Sequence, residues 1–116
     1  MNHAQKAKDL FKEGYNCSQA VIGAFCEGLG LDFKTAMKLS SSFGGGMGRM
    51  REVCGAVSGM FMAAGLQYGP DSTDNPLAKA QHYARIQELA KIFKDKNGSI
   101  ICRELLKGVE SSTTPT

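Results

Sequence analysis

The residues of this chain best suited to chemistry are its four cysteines, Cys17, Cys26, Cys54 and Cys102. A thiolate can attack a disulfide or a peroxide, pass through a mixed disulfide to a second thiol, or ligate a soft metal. The successive separations of 9, 28 and 48 residues contain no C-x-x-C pair. Neither a zinc ribbon nor a thioredoxin-type motif is therefore encoded locally, and any cooperation among the thiols must come from the fold. Other chemistry has little to build on. His3 and His82, the only histidines, read as solvated surface residues. The run Gly44-Gly45-Gly46-Met47-Gly48 lacks the G-x-x-x-x-G-K-[ST] pattern and the preceding strand of a phosphate cradle. No Ser, His and Asp spacing suggests a hydrolase. Met47, Met50, Met60 and Met62 read as core or flexible pocket lining.

The elements that must position the cysteines are helical. Apolar residues recur at three and four, with no convincing period-two strand, so the expected class is all-α, a single compact bundle of five to six helices with a glycine-rich bend before the fourth. The first helix spans about 2–13, carries Ala7, Leu10 and Phe11 inward, and stops at Gly14. The second starts at Asn16 with Gln19 as a capping-box partner. Asp32 caps the third, to about Ser42. The bend follows, because each glycine in a helix costs roughly 1 kcal/mol relative to alanine. The fourth starts between Arg51 and Cys54 and runs to about Gln67, with Gly55, Gly59 and Ala63 on one face that a neighbour can approach closely. Asn75-Pro76 starts the fifth, to about Lys96, with Tyr83, Ile86, Leu89, Ala90 and Phe93 as its buried face. Ser99 caps a short sixth through about Lys107, with Cys102, Leu105, Leu106 and Val109 on one stripe.

Three cysteines thus fall at or beside helix starts: Cys17 after Asn16, Cys54 after the glycine bend, and Cys102 after Ser99. A helix N-terminus favours thiolate over thiol, and Arg49, Arg51 and Arg103 can add positive charge, whereas burial acts in the opposite sense. Inward positions at three helix ends allow these residues to converge on one pocket. Cys26, roughly opposite Cys17 and later in its helix, reads as core filler.

Length and composition set the frame. A chain of 116 residues with 42% hydrophobic and 22% charged residues is expected to fold as one domain, residues 1–110, with a flexible tail at 111–116. The net charge of +3 is scattered and Trp is absent, so no nucleic-acid platform is expected. The uncharged stretch Val53 to Tyr68 is too short to cross about 30 Å of hydrocarbon, so no membrane partner is expected. The N-terminus shows no apolar secretory signal, which points to the cytoplasm, where thiols stay reduced.

The run Gly44 to Gly59, with Cys54-Gly55-Ala56-Val57-Ser58-Gly59 as its core, resembles the C_GCAxxG_C_C family. So do Asn16-Cys17-Ser18-Gln19 before it and Gly98-Ser99-Ile100-Ile101-Cys102-Arg103-Glu104-Leu105-Leu106 after it. The resemblance spans residues 10 to 107. It implies a small helical bacterial or archaeal protein with redox-active cysteines, carried over as Cys17, Cys54 and Cys102. Related domains occur with iron–sulfur and haem electron-transfer proteins, which implies that an iron–sulfur cluster or soft metal ion could be held. The family pattern continues to another cysteine near the C-terminus, and this chain has none after Cys102. Either that thiol is dispensable, or Cys26 takes its place, or the chain is a shortened one.

Three functions compete. In the first, Cys54 is the nucleophile of a thiol–disulfide oxidoreductase serving an unknown redox partner protein, because the glycine bend leaves N–H groups free. Cys17 or Cys102 resolves the adduct. In the second, Cys17, Cys54 and Cys102 ligate an iron–sulfur cluster or a soft metal, with a fourth ligand from a second subunit. In the third, the cysteines only pack, and the chain is a helical interaction module. A glycine-faced helix would also favour a homo-oligomer.

Overall fold

A computed structural model describes residues 2–107; the expected tail and Val109 lie outside them. Six right-handed helices are present among the described residues: α1 His3–Lys12, α2 Cys17–Phe25, α3 Phe33–Ser40, α4 Gly55–Tyr68, α5 Pro76–Asn97 and α6 Cys102–Leu105. A 3₁₀ turn at Ser41–Phe43 leads from α3 into the glycine run. The all-α class is therefore as expected.

The starts of the helices follow from the sequence. Asn16 accepts from the Gln19 N–H at 2.9 Å, and the Gln19 side chain accepts from the Asn16 N–H at 3.0 Å, which completes the capping box. Asp32 caps α3 through Thr35, and Asn75 caps α5 with Pro76 at its first position.

Helix α2 is the centre of the bundle. It is apolar on most sides because α1, α3 and α4 all pack on it. Ile22 and Cys26 lie in a core with Ala36, Met37 and Ala63. The face of α4 that carries Gly55 and Gly59 meets α2 directly: a side-chain carbon at Gly59 would stand 2.8 Å from the Ser18 carbonyl oxygen. That glycine face is thus covered within the chain, which removes the reason for expecting a second copy there.

Several expectations change. Helix α5 has no fully buried residue: Tyr83 is 56% exposed, and Ile86, Leu89, Ala90 and Phe93 are half-buried, since among the described residues α4 is its main neighbour. Its visible tie to α4 is Arg85, stacked over the Tyr68 ring at 4.5 Å. Phe11 is exposed as well. His3 is exposed but stacks on Phe25 with ring centroids 4.2 Å apart. Helix α6 starts at Cys102, not at Ser99, because residues before it are extended: Val53 and Ile101 form an isolated antiparallel bridge. Ser99 instead accepts from the Ile101 N–H and donates to Glu104.

The glycine bend is a left-handed turn. Residues 45–49 all have positive φ, at 66°, 73°, 65°, 62° and 66°, and Arg51 follows at 62°. Three of these positions are not glycine: Met47, Arg49 and Arg51. Each costs about 1–2 kcal/mol against the right-handed alternative, so the surrounding contacts must hold the turn in place.

A cleft lined by three cysteines

Three separate elements bring cysteines to one open cleft. Cys17 opens α2, Cys54 is the residue before α4, and Cys102 opens α6. All three line a cleft of about 880 Å³, together with Tyr15, Asn16, Ser41, Arg49 and Arg51, and with an apolar wall that includes Leu105 and Leu106. Cys26 is outside it. That thiol is 2% exposed in the core and donates to the Gly23 carbonyl at 3.5 Å.

The turn and the bridge explain how residues so distant in sequence meet. The Cys54 N–H donates to the Ile100 carbonyl at 2.8 Å, and the Cys102 N–H donates to the Glu52 carbonyl at 2.6 Å, on either side of the Val53–Ile101 bridge. Alternation along the two short segments therefore puts Cys54 and Cys102 on the same face, opposite Val53 and Ile101. The glycine run packs under them: a side chain at Gly46 would meet the Cys102 Cβ at 2.6 Å and the Arg51 Cα at 2.8 Å. Cys17 enters from the other side, with its sulfur in the space that a Gly55 side chain would need. Asn16, read from sequence only as a cap, also donates through Nδ2 to the Ser41 carbonyl at 3.1 Å and lies against Gly44. It therefore holds α2 to the turn. Only the adjacency of a capping Asn to a cysteine hinted at this.

All four cysteines are free thiols. Burial pushes the Cys54 thiol above its ordinary range, and repulsion from the Cys17 and then the Cys102 sulfur adds to that. The N–H groups of Ala56 and Val57, in the first turn of α4, pull the other way without closing a hydrogen bond, and they lose. At Cys54 burial thus outweighs the helix start and decides the direction that the sequence left open. The N–H groups of the bend's second half are engaged: those of Gly48 and Arg49 donate to the Gly44 carbonyl, that of Met50 to Met47, that of Arg51 to Gly45 and that of Glu52 to Gly46.

The arginines divide. Arg51 donates through Nη1 to the Cys102 sulfur at 3.7 Å. Arg103 turns away to pair with Glu52, where both side chains are about half exposed. Beside Cys17, the Ser18 hydroxyl is fully buried with no hydrogen-bond partner.

No group of three or more His, Cys, Asp or Glu side chains among the described residues converges closely enough to hold an ion. The three thiols share a cleft, but among the described residues they do not by themselves close around one ion. No helix among the described residues is long and apolar enough to cross a membrane.

Comparison with known proteins agrees with the cysteine pattern. The family model described as "Putative redox-active protein (C_GCAxxG_C_C)" matches residues 15–116, a range that contains all four cysteines. A protein of Archaeoglobus fulgidus, described as "Uncharacterized protein", is 31% identical over 116 aligned residues, covering 90% of this chain and 77% of that relative. No solved structure matches. With the family model spanning most of its length and the glycine turn, Cys17, Cys54 and Cys102 all inside the match, this chain belongs to the C_GCAxxG_C_C family.

Proposed function

We propose that the protein performs thiol–disulfide exchange at the cleft, with Cys17 and Cys54 as the pair that closes to a disulfide and Cys102 as a third thiol able to exchange with Cys54. The observation that supports this best is the shared cleft itself, in which Cys54 feels both other sulfurs, Cys17 more strongly than Cys102. The Cys17 sulfur also lies against Gly55, the residue joined to Cys54.

In the first step a cleft thiolate attacks one sulfur of an incoming disulfide. A protein–substrate S–S bond forms, the substrate S–S bond breaks, and the leaving thiolate takes up the proton that the attacking thiol released. In the second step another cleft thiol attacks the protein sulfur of this mixed disulfide, which frees the other half of the substrate. Two protein thiols lose two electrons, and the substrate disulfide gains them. Cys54, whose burial disfavours the thiolate, suits the second attack, where the target is already bound beside it and its proton passes to the substrate sulfur that departs. Partly exposed Cys17 suits the first. A dithiol partner protein reverses the process, in the cytoplasm, where such partners stay reduced.

Thiol titration before and after treatment with a small neutral disulfide, bis(2-hydroxyethyl) disulfide, tests this. The native protein should fall from four free thiols to two, and Cys54→Ser should block closure of the internal bond. Retention of every free thiol by the native, folded protein would end the proposal.

A further inference from the structure

The left-handed turn is seated on one of the cleft cysteines, which thiol exchange by itself does not require. Residues 45–49 and 51 have positive φ, and Met47, Arg49 and Arg51 stand there without the freedom of glycine. That conformation is disfavoured for residues with a side chain and lasts only while neighbouring contacts hold it. Cys102 supplies the central contact: a Cβ at Gly46 would stand 2.6 Å from the Cys102 Cβ. The backbone closes the same joint. The Glu52 N–H donates to the Gly46 carbonyl at 2.9 Å, and the Glu52 carbonyl accepts from the Cys102 N–H at 2.6 Å. The Arg51 carbonyl accepts from the Arg103 N–H at 3.1 Å. The turn also walls the cleft, through Gly44, Gly45, Gly48 and Arg49.

Cys54 and Cys102 do not face each other across the bridge. Cys54 lies opposite Ile100 and Cys102 opposite Glu52, on either side of the Val53–Ile101 pair. The two cysteines share a face but stand on a diagonal, which sets such positions about 7–8 Å apart. A disulfide needs Cα atoms within about 7 Å, so closing this bond slides residues 100–102 along residues 52–54 and takes Cys102 from its seat under Gly46. Cys17 instead approaches Cys54 across Gly55, away from the bridge and the turn.

We propose that the glycine turn is a redox latch, locked while Cys102 is a free thiol and released when Cys102 takes Cys54 into a disulfide. The proposal rests on the thiol-exchange reading and gives its third thiol a conformational role. In the releasing step the Cys102 thiolate attacks the Cys54 sulfur of the Cys17–Cys54 disulfide. The Cys54–Cys102 bond forms, the Cys17–Cys54 bond breaks, and the Cys17 sulfur takes up the proton that Cys102 lost. The oxidation state of the protein is unchanged. Met47, Arg49 and Arg51 then relax from the left-handed region, and the cleft wall opens toward the dithiol partner that reduces the protein.

Hydrogen exchange at the Arg49, Arg51 and Glu52 amides, which are bonded to the Gly44, Gly45 and Gly46 carbonyls, reads the latch directly. In the full chain carrying Cys17→Ser, bis(2-hydroxyethyl) disulfide leaves Cys54 and Cys102 as the cleft pair to close. Once that bond has formed, the three amides should exchange about tenfold faster or more than in the reduced variant, and trypsin should cut after Arg49 correspondingly faster. Cys102→Ser, oxidised to its Cys17–Cys54 form, should keep the exchange rates of the reduced protein. Cys17→Ala repeats the comparison if the Ser variant folds poorly. Three results would overturn the latch while leaving thiol exchange standing: unchanged protection in the Cys54–Cys102 form, equal loss of protection in the Cys17–Cys54 form, or closure of Cys17–Cys54 in a protein that never joins Cys54 to Cys102. Failure of the native chain and every variant to form either bond would remove the exchange reading, and the latch with it.

Discussion

The sulfur of Cys17 occupies the place where a side chain at Gly55 would begin, so the first turn of α2 and the start of α4 touch at the position next to Cys54. Gly55 is thereby both a packing residue and a spacer that lets two thiols approach. Gly55→Ala should displace Cys17 or push the helices apart, at a cost of about 1–3 kcal/mol. Urea unfolding measures the loss, and the variant should also close the Cys17–Cys54 bond more slowly than the native protein under the same oxidant. Native stability together with an unchanged closing rate would show that the contact is unimportant.

Because burial holds the Cys54 thiol above its ordinary range, its thiolate appears at higher pH in the folded chain than in the unfolded one. Site-resolved alkylation with iodoacetamide should place the Cys54 midpoint higher in native protein than in urea. Cys17→Ser should lower it, since repulsion between sulfurs contributes after burial. The linkage has a definite sign. Below the unfolded value the thiol is neutral in both states and costs nothing. As pH rises from the unfolded towards the folded value, the unfolded chain releases its proton first and stability declines.

The Ser18 hydroxyl is buried without a partner, a situation that costs about 1–3 kcal/mol when the group is left unsatisfied. Ser18→Ala removes the hydroxyl and keeps the small side chain that α4 requires at this contact. It should raise stability by about 1 kcal/mol in thermal or denaturant unfolding, with thiol reactivity retained. A destabilised Ser18→Ala protein would mean that the hydroxyl has a partner in solution.

Met47 stands in the left-handed turn at φ 65° without the freedom of glycine. Met47→Gly should stabilise the fold by up to about 1 kcal/mol, the relief of the left-handed strain exceeding the added chain entropy of glycine. The opposite change at its neighbour, Gly46→Ala, should strongly destabilise, because φ is 73° there and the new methyl group would strike the Cys102 Cβ.

Much of this architecture is legible in the residues themselves. Asn16 with Gln19, Asp32, and Asn75 with Pro76 announce three helix starts, since capping is local hydrogen bonding. Gly55 and Gly59 announce the close approach of a helix, although not that α2 would be the one. What the sequence hides is decided by contacts between distant segments. No local preference places Arg49 and Arg51 in left-handed conformations, and a single-pair bridge such as Val53–Ile101 leaves no period-two trace. The direction of the Cys54 shift turns on burial, which competes with the helix start and wins. Helix α5 shows the converse: of the face its periodic apolar residues imply, Tyr83 is exposed and Ile86, Leu89, Ala90 and Phe93 are only half-buried, because among the described residues α4 alone packs on it to any extent.

The most direct measurement is a peptide map of the fully folded protein after mild oxidation, with free thiols blocked before digestion. The expected linked fragment joins Cys17 to Cys54, a minor one joins Cys54 to Cys102, and Cys26 is recovered unpaired. A map in which Cys17, Cys54 and Cys102 all remain blocked as free thiols, or in which bonds form only between chains, would contradict a shared reacting centre.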